Sequence, residues 1–308
     1  MLRGPVWVPR TGAPLTQSLR YMSSFRPLAL GALLAFGLAG CDSASPDSAA
    51  PSNPAFATAD GVVTASDVTA ALINAPVTDD WMLYTRDAGS GVFEPGPAPT
   101  PLGIGSLRLE TTASNDKVTL FNYDHSGKRL NLIDGIGYAT YRTAGSLQQV
   151  AALNIQVDAN GPAVAEGFTT LVFEPVYNTS QGPVTSGVWQ QWNAFSGGTG
   201  IWWSSNPIPG APNRDTFVSW NAIIAANPNA VIVGGFGVNQ GSGNAGLTTA
   251  VDKLTIGNAA NAVVYDFEQF KVPTDRRQCF DGGWMGLSDA EGNSFRNQGQ
   301  CAAYVNRS

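Results

Sequence analysis

The feature that most constrains the fold is a succession of short runs, from Trp81 onward, in which apolar and polar residues alternate and which end at glycine, asparagine or proline. In GSLRLET, Leu107 and Leu109 lie on one face of an extended strand and Arg108 lies on the other. Similar runs follow along the chain: KVTLFNY, GYATYRT, VAALNIQV, FTTLVFEPVY, AVIVGGFGV, DKLTIG and AVVYDFEQF. Roughly ten strands separated by turn signals predict an all-β protein, an antiparallel sandwich of two sheets.

One segment favours a helix instead. In SWNAIIAANP, Ser219 is a typical N-cap residue and Pro228 ends the helix. The sequence therefore predicts one short helix within a β-sandwich domain at 76–270. A distinct C-terminal element follows at 271–308.

The segment before Cys41 is typical of a secretory signal peptide. In MSSFRPLALGALLAFGLAG, a polar start with Arg26 precedes an apolar run at 28–38, which is too short to span a membrane in the mature protein. We interpret 1–40 as the signal-peptide region, with translation starting at Met22. The residues around Cys41 resemble the bacterial lipobox, which implies that the sulfur is diacylated and that Cys41 becomes the mature N-terminus. The alternative is an ordinary secretory signal with an incidental cysteine.

The residues after Cys41 predict a tether. They read DSASPDSAAPSNPAFAT, rich in serine, alanine and proline, with almost nothing to bury. We therefore expect a lipidated cysteine and a tether at 41–75. This arrangement predicts an exported lipoprotein that is anchored by lipid in the bacterial cell envelope.

The charge of the chain argues against nucleic acid as a partner. Four of the 17 Lys and Arg residues precede Cys41 and none of the 23 Asp and Glu residues do, which leaves 13 basic against 23 acidic residues, a net charge of about −10. An excess of this sign disfavours association with nucleic acid and with anionic lipid head groups.

Cys279 and Cys301 predict a disulfide. An exported chain meets an oxidising compartment, where disulfides persist. A zinc site is the competing interpretation, but zinc usually takes four nitrogen or sulfur ligands, and the single histidine, His125, is far away in sequence. The segment between the cysteines is rich in glycine and has too few large apolar residues to hold itself together. A bridge across a loop of this length stabilises it by about 3 kcal/mol.

Two sets of segments resemble bacterial exported proteins. CFDGGW and FRNQGQC resemble a short C-terminal element of uncharacterised proteins, and this resemblance implies no activity. A second set resembles a group of secreted jelly-roll domains: GSLRLET, ALNIQVDANG, TTLVFEPVYN, GVWQQWNAFSGGTGIWW, GGFGVNQGSGN, VDKLTIG and YDFE. The second resemblance implies a jelly roll of the concanavalin-A-like or galactose-binding-like kind. Analogy with such folds favours a carbohydrate ligand.

The aromatic stretch SGVWQQWNAFSGGTGIWWSS provides the main candidates for ligand binding. Its glycines at 196–200 predict a tight reversal between the two strands of a hairpin. Alternation puts Trp189 and Trp192 on opposite faces, and likewise Trp202 and Trp203. Outward rings beside polar side chains suit sugar rings. The alternative is that both faces of the hairpin are covered, one by the second sheet and one by loops. The candidate residues are Trp189, Gln190, Gln191, Trp192, Asn193, Trp202 and Trp203.

Asp266 and Glu268 are the residues that an enzyme would use. On the strand VVYDFEQF they share a face about 7 Å apart, which is near the carboxyl separation of glycoside hydrolases. The competing interpretation is the wet side of a strand, where acidic residues are expected from binary patterning. The sequence has no Gly-x-Ser-x-Gly nucleophile motif and no phosphate-binding loop.

Two other motifs are expected to be turns. Asp158 and Asn160 of VDANG are candidate ligands of a structural calcium ion, but Asp-x-Asn-Gly is also an ordinary hairpin turn. His125 of NYDHSGK is expected on a surface turn. No other cofactor is expected.

These features predict a non-catalytic cell-envelope lipoprotein that serves as a carbohydrate-binding or surface-display module. One alternative is a glycoside hydrolase that uses paired carboxylates, and another is a purely structural envelope protein. The expected partners are the membrane, through the lipid anchor, and a poly- or oligosaccharide.

Overall fold

The computed structural model describes residues 61–145, 148–164 and 166–307, and within these ranges the chain forms two β-sheets. The seven-stranded sheet contains β1 (Val62–Val63), β4 (Ser90–Pro95), β5 (Gly105–Thr111), β7 (Gly135–Ala144), β10 (Trp189–Asn193), β14 (Leu247–Gly257) and β15 (Val263–Phe267). The eight-stranded sheet contains β2 (Thr69–Leu72), β3 (Trp81–Arg86), β6 (Lys117–Asn122), β8 (Ala152–Asp158), β9 (Phe168–Phe173), β11 (Ile201–Ser204), β12 (Val218–Ser219) and β13 (Val231–Gly241). The prediction of an all-β sandwich is confirmed.

The core lies between the sheets and is built by the alternation seen in the sequence. Leu107 and Leu109 of β5 are completely buried, whereas Arg108 between them is partly exposed. Leu120, Leu153 and Phe236 of the eight-stranded sheet belong to the same hydrophobic cluster. Burial of each such side chain stabilises the fold by about 1.5–3 kcal/mol.

The eight-stranded sheet runs in the order β12-β11-β9-β8-β13-β6-β3-β2. Its neighbouring strands are antiparallel except β2 and β3, which are parallel. This order brings strands from distant parts of the chain side by side on one outer face.

The seven-stranded sheet is split along one side of β14. There β14 pairs with β5 through Leu247–Val251 and with β15 through Leu254–Ile256, while β7 occupies its other side. The pairing register with β7 shifts between Asp252 and Thr255, and Lys253 has a positive φ of 54°. The ends of β5 and β15 therefore meet beside this irregularity, which is called the β14 split below.

Two α-helices lie within the described ranges. α1 (Trp220–Ala226) begins after Ser219, whose Oγ accepts a hydrogen bond from the Ala222 amide at 3.2 Å. It is the helix that the sequence predicts. α2 (Gln298–Val305) was not predicted, and its N-cap Asn297 accepts a hydrogen bond from the Gln300 amide at 2.9 Å.

The C-terminal element has a small hydrophobic cluster of its own. The predicted disulfide between Cys279 and Cys301 is present, with 5.7 Å between the Cα atoms. Both cysteines are buried with Leu287, Phe295 and Ala302. The bridge joins α2 to the 3₁₀ turn at Arg276–Cys279.

The sheets begin earlier than the sequence suggested. β1 pairs in parallel with β15, and β2 pairs in parallel with β3, although both strands lie within the range 41–75 that was interpreted as a tether. Their pairing depends on main-chain hydrogen bonds, which composition does not reveal. Cys41 and the region 1–40 lie outside the described residues. In the part of the chain that is described, no helix is long and apolar enough to cross a membrane.

Candidate functional site

Strands β10 and β11 do not form the predicted hairpin. β10 pairs with β7 in the seven-stranded sheet, whereas β11 pairs with β9 and β12 in the eight-stranded sheet. The prediction was wrong because glycines that permit a tight reversal also permit a connection between sheets, and here Gly197 and Gly198 have φ values of 63° and 85°. The solvent-facing sides of the two strands therefore lie on different sheets.

The four tryptophans divide into a buried pair and a half-buried pair. Trp192 is buried and its Nε1 donates to Thr140 Oγ1 at 2.8 Å. Trp202 is completely buried and its Nε1 donates to the Ala194 carbonyl at 3.0 Å. Trp189 and Trp203 are half-buried on the outer faces of the seven-stranded and eight-stranded sheets respectively. One flat platform cannot include both half-buried rings.

The polar candidates on β10 lie away from Trp203. Gln190 holds the preceding loop, since its Oε1 accepts from the Thr185 amide at 2.7 Å and its Nε2 donates to the Pro183 carbonyl at 2.8 Å.

The two exposed candidates of the same strand line a different surface. Gln191 Oε1 accepts from Lys253 Nζ at 3.3 Å, and Asn193 Oδ1 accepts from the Ser196 amide at 2.6 Å. Gln191 and Asn193 line a recess of about 540 Å³ on the seven-stranded sheet.

A groove crosses the outer face of the eight-stranded sheet. It consists of two adjoining cavities of about 490 and 560 Å³, which share Lys117, Asn154 and Thr170 in their linings. Residues of six neighbouring strands, from β11 through β9, β8, β13 and β6 to β3, line the groove. Five inter-strand spacings correspond to about 24 Å, so the groove is long enough for an extended ligand.

The strand register aligns the middle of the groove. Cross-strand neighbours run in one row across the sheet: Trp203, Val172, Asn154, Gly237, Phe121 and Met82. Alternation within β8 turns Asn154 outward because its neighbours Leu153 and Ile155 are completely buried in the core. Gly237, the neighbour of Asn154 on β13, has no side chain and therefore offers no side-chain partner to the Asn154 amide.

Aromatic and charged groups meet at the Trp203 end of the groove. Trp203 Nε1 donates to Glu174 Oε2 at 2.8 Å, and the Arg214 guanidinium lies 5.6 Å from the centre of the indole ring. Tyr177 and Phe217 pack against each other with 4.2 Å between ring centres and 42° between ring planes, and they stay exposed, at 45% and 42% of their surface. Burial raises the pKa of Glu174, while the Trp203 hydrogen bond and the Arg214 charge oppose this shift.

The floor of the groove contains an unsatisfied polar atom. Asn154 is only 7% exposed, and its Oδ1 has no hydrogen-bond partner among the described residues. A buried carbonyl oxygen without a donor costs about 1–3 kcal/mol. A ligand hydroxyl or amide would remove the cost by donating to this oxygen once the Asn154 side chain turns it into the groove, because the atom is buried in the observed orientation.

The carboxylate pair at the end of β15, Asp266 and Glu268, is not on a wet face. Glu268 is 6% exposed and its Oε1 accepts from the Ile104 amide at 2.7 Å, because the loop before β5 folds over it. A Cβ atom at Gly103, where φ is 48°, would come within 1.6 Å of that oxygen. Asp266 beside it is partly buried. The expectation that both acids face solvent was wrong, because the β14 split lets the loop cover them.

A third carboxyl group belongs to the same cluster. Asp252 is completely buried and accepts hydrogen bonds from the Leu102 amide at 2.9 Å and the Phe267 amide at 3.2 Å. Burial, and then the charges of Glu268 and Asp252, raise the pKa of Asp266 to about 7. Burial is also the largest cause that raises the pKa of Asp252 to about 6. No group of three or more His, Cys, Asp or Glu side chains within the described ranges is arranged to hold a metal ion.

The calcium candidates lie in a turn after β8. Asp158 Oδ1 accepts hydrogen bonds from the Asn160 amide at 3.0 Å and the Gly161 amide at 3.1 Å. Asn160 Nδ2 donates to the Glu166 carbonyl at 3.3 Å. These contacts are those of a turn former, and calcium binding here stays a prediction.

His125 is buried rather than on the surface, so that prediction was wrong. It is 1% exposed, and its Nε2 lies 2.8 Å from Tyr265 Oη while its Nδ1 lies 2.7 Å from Lys128 Nζ. An ammonium group only donates, so Nδ1 accepts and Nε2 carries the proton. Burial lowers the pKa of His125 to about 4. The turn formers around it fix the chain reversal, but they do not fix the direction of the ring.

The groove contains residues that the sequence interpretation did not select: Lys117, Asn154, Glu174, Tyr177, Arg214 and Phe217. Asn154 had a signal in the sequence, since a polar residue between Leu153 and Ile155 must face outward. Comparison of the chain with protein-family models, with curated proteins and with solved structures found no match.

Proposed function

We propose that this protein is a non-catalytic, lipid-anchored protein of the bacterial cell envelope that binds a carbohydrate chain in the groove of the eight-stranded sheet. The observation that carries the proposal is Trp203, a half-buried ring that lines the groove beside the exposed Tyr177 and Phe217 pair. Flat aromatic faces suit the apolar faces of sugar rings, and convergent polar groups suit their hydroxyl edges.

The polar part of the groove supports the same ligand class. Asn154 offers a buried acceptor without a partner in the described chain, and Asn239 and Ser205 also line the groove. A sugar chain has a hydroxyl donor on nearly every ring. Such a ligand fits a site that combines aromatic and polar side chains from several strands.

The groove is favoured over the recess that Gln191 and Asn193 line. No aromatic ring has an exposed face among the residues that line that recess, since Trp192 is 2% exposed and Tyr138 is 3% exposed. Trp189, the half-buried ring of the same sheet, packs against Tyr141 with 5.6 Å between ring centres.

A hydrolase that uses Asp266 and Glu268 has less support. The loop at 101–104 covers Glu268, and neither carboxylate lines the groove or the recess. We therefore keep hydrolysis as an outcome of the test below and not as a second proposal.

The proposal is tested with Trp203→Ala, measured by isothermal titration calorimetry against a panel of soluble polysaccharides. We expect the affinity for the ligand to fall about tenfold or more, roughly 1.4 kcal/mol. The melting temperature should also fall, because the variant loses a half-buried ring and the hydrogen bond that it donates to Glu174, so binding is measured well below the melting temperature of the variant. Trp189→Ala is the matched control, since it removes a half-buried tryptophan from the other sheet, and it should bind like the wild type.

Several outcomes would contradict the proposal. If no polysaccharide binds the wild-type protein, carbohydrate binding is withdrawn. If Trp189→Ala weakens binding as much as Trp203→Ala does, the groove is not the site. Release of reducing ends from a bound polysaccharide would replace the non-catalytic function by a hydrolytic one.

A further inference from the structure

Lys117 holds a central position in the groove. It is the first residue of β6, and it lines both of the adjoining cavities. Its side chain crosses Gly241 of β13, where a Cβ atom would come within 2.6 Å of Lys117 Cγ. Glycine at this position therefore leaves room for the lysine to extend along the floor.

The ammonium group of Lys117 has no acceptor in the described part of the chain. The other three lysines do: Lys128 contacts His125, Lys253 contacts Gln191, and Lys271 forms an ion pair with Asp67.

A second cation lies directly opposite Lys117. Arg86 on β3 is its cross-strand neighbour, and like charges in this arrangement destabilise a sheet. Arg86 Nε donates to the Asn115 carbonyl at 2.9 Å and Nη2 donates to Ser242 Oγ. Neither cation forms an ion pair with a described carboxylate. Burial and the charge of Arg86 lower the pKa of Lys117.

The charge of the groove differs from that of the whole molecule. The cavity toward β3 has no acidic side chain in its lining, and Lys117 is the one charged residue among those described there. The cavity toward β11 also contains Arg214, together with Glu174 and Asp215. The chain as a whole carries a net charge of −6. The charged residues that line the groove therefore balance, two basic against two acidic, and Lys117 in the middle has no ion-pair partner among the described residues, which suits an anionic group of a ligand.

We infer that the groove selects acidic polysaccharides, whose carboxylate or sulfate groups bind Lys117 beside the positive charge of Arg86 while a neighbouring hydroxyl donates to Asn154 Oδ1. This inference rests on the proposed function, because it names the class of sugar chain that the groove takes. Lysine supplies a point charge to the anionic group, and the anion in turn relieves the repulsion between the two cations. The amide oxygen of Asn154 gains the donor that it lacks.

The experiment uses two pairs of polymers in which the two members share a sugar backbone and one member carries anionic groups. Polygalacturonate is compared with its methyl ester, and dextran sulfate with dextran, by calorimetry on the wild-type protein. The acidic member of at least one pair should bind about tenfold tighter, and added salt should reduce the difference. The two pairs distinguish a carboxylate from a sulfate as the bound group.

Variants test whether Lys117 causes the preference for acidic polymers. Lys117→Gln should abolish the difference within the pair, and Lys117→Arg should retain most of it. Lys253→Gln, a matched control on the other sheet, should leave it unchanged. The melting temperature of each variant checks that the sheet is intact.

The inference and the proposed function fail in different ways. If neutral and acidic polymers bind equally and Trp203→Ala abolishes both, the inference is overturned and carbohydrate binding stands. If no acidic or neutral polysaccharide binds, both are overturned. Equal affinity for single-stranded DNA of matched charge would also overturn the inference, because the site would then recognise charge without sugar.

Discussion

Asp252, Asp266 and Glu268 occupy a small space at the β14 split. Main-chain amides donate to Asp252 and to Glu268, whereas Asp266 Oδ1 is buried without a partner among the described residues. Three negative charges that lie close together and away from water repel one another strongly. The cluster is therefore most stable when at least one of its carboxyl groups is protonated.

This cluster makes stability depend on pH. The pKa of Asp266 is raised from 3.8 to about 7, so the folded protein keeps a proton that the unfolded chain loses. The free energy of unfolding contributed by this group should fall as pH rises from about 4 to 7 and stay constant above that range. Asp266→Asn should remove this loss of stability at higher pH, because the amide stays neutral and can donate to Glu268.

The measurement is the melting temperature of both proteins at pH 5 and pH 8. The melting temperature of the variant relative to that of the wild type should be higher at pH 8 than at pH 5. His125 contributes in the opposite direction, since its pKa is lowered and its stabilisation is lost on acidification. Because both proteins contain His125, the comparison cancels its contribution. The same difference between the two melting temperatures at both pH values would contradict the raised pKa of Asp266 as the cause.

Individual side chains were predictable where alternation alone decides. The opposite directions of Trp202 and Trp203 follow from strand geometry, and the structure has one ring in the core and the other in the groove. His125 and Glu268 were not predictable, because their burial depends on segments distant in sequence that cover them.

The C-terminal element combines its disulfide with a small hydrophobic cluster. The cluster contains Leu287 and Phe295 beside the two cysteines and is separate from the core between the sheets. Replacing both Cys279 and Cys301 by serine should destabilise this element by about 3 kcal/mol in the loop-entropy model. Amide hydrogen exchange should show that α2 loses protection while the strands of the sandwich retain theirs. Loss of the whole cooperative fold would show instead that the element is part of the main core.

Most strands were visible in the sequence, but their partners were not. The periodicity of β5, β6 and β8 is local, so a single stretch reveals it. The connection between β10 and β11 has the same glycine signal as a hairpin, although it crosses from one sheet to the other. α2 was missed because its apolar residues are consecutive, from Cys301 to Val305, and so lack the spacing of an amphipathic helix.

The groove is a property of the complete eight-stranded sheet. Its row from Trp203 to Met82 joins residues that are far apart in sequence, and a register shift of one residue would turn each of them toward the core. The sequence could therefore predict outward rings on single strands but not the groove that unites them.

The anchor concerns the molecule as a whole. The lipobox resemblance at Cys41 implies that the protein is retained on a membrane, so Cys41→Ala should release it and abolish labelling by a fatty-acid analogue. Fractionation followed by immunoblotting measures the release. Cys279→Ser keeps Cys41 and should stay with the membrane. Unlabelled wild-type protein in the soluble fraction would remove the lipoprotein interpretation.

The pairing of β1 with β15 has a consequence for how the chain reaches its native state. Val62 pairs with Asp266, so the seven-stranded sheet joins the two ends of the sandwich. Contacts between such distant residues give a high contact order, and domains of this kind fold in milliseconds to seconds. A ribosome makes β1 long before β15, so β1 stays unpaired in the nascent chain until β15 has been made. The sandwich cannot be completed until Phe267 has been synthesised. The incomplete chain must be protected from aggregation until then.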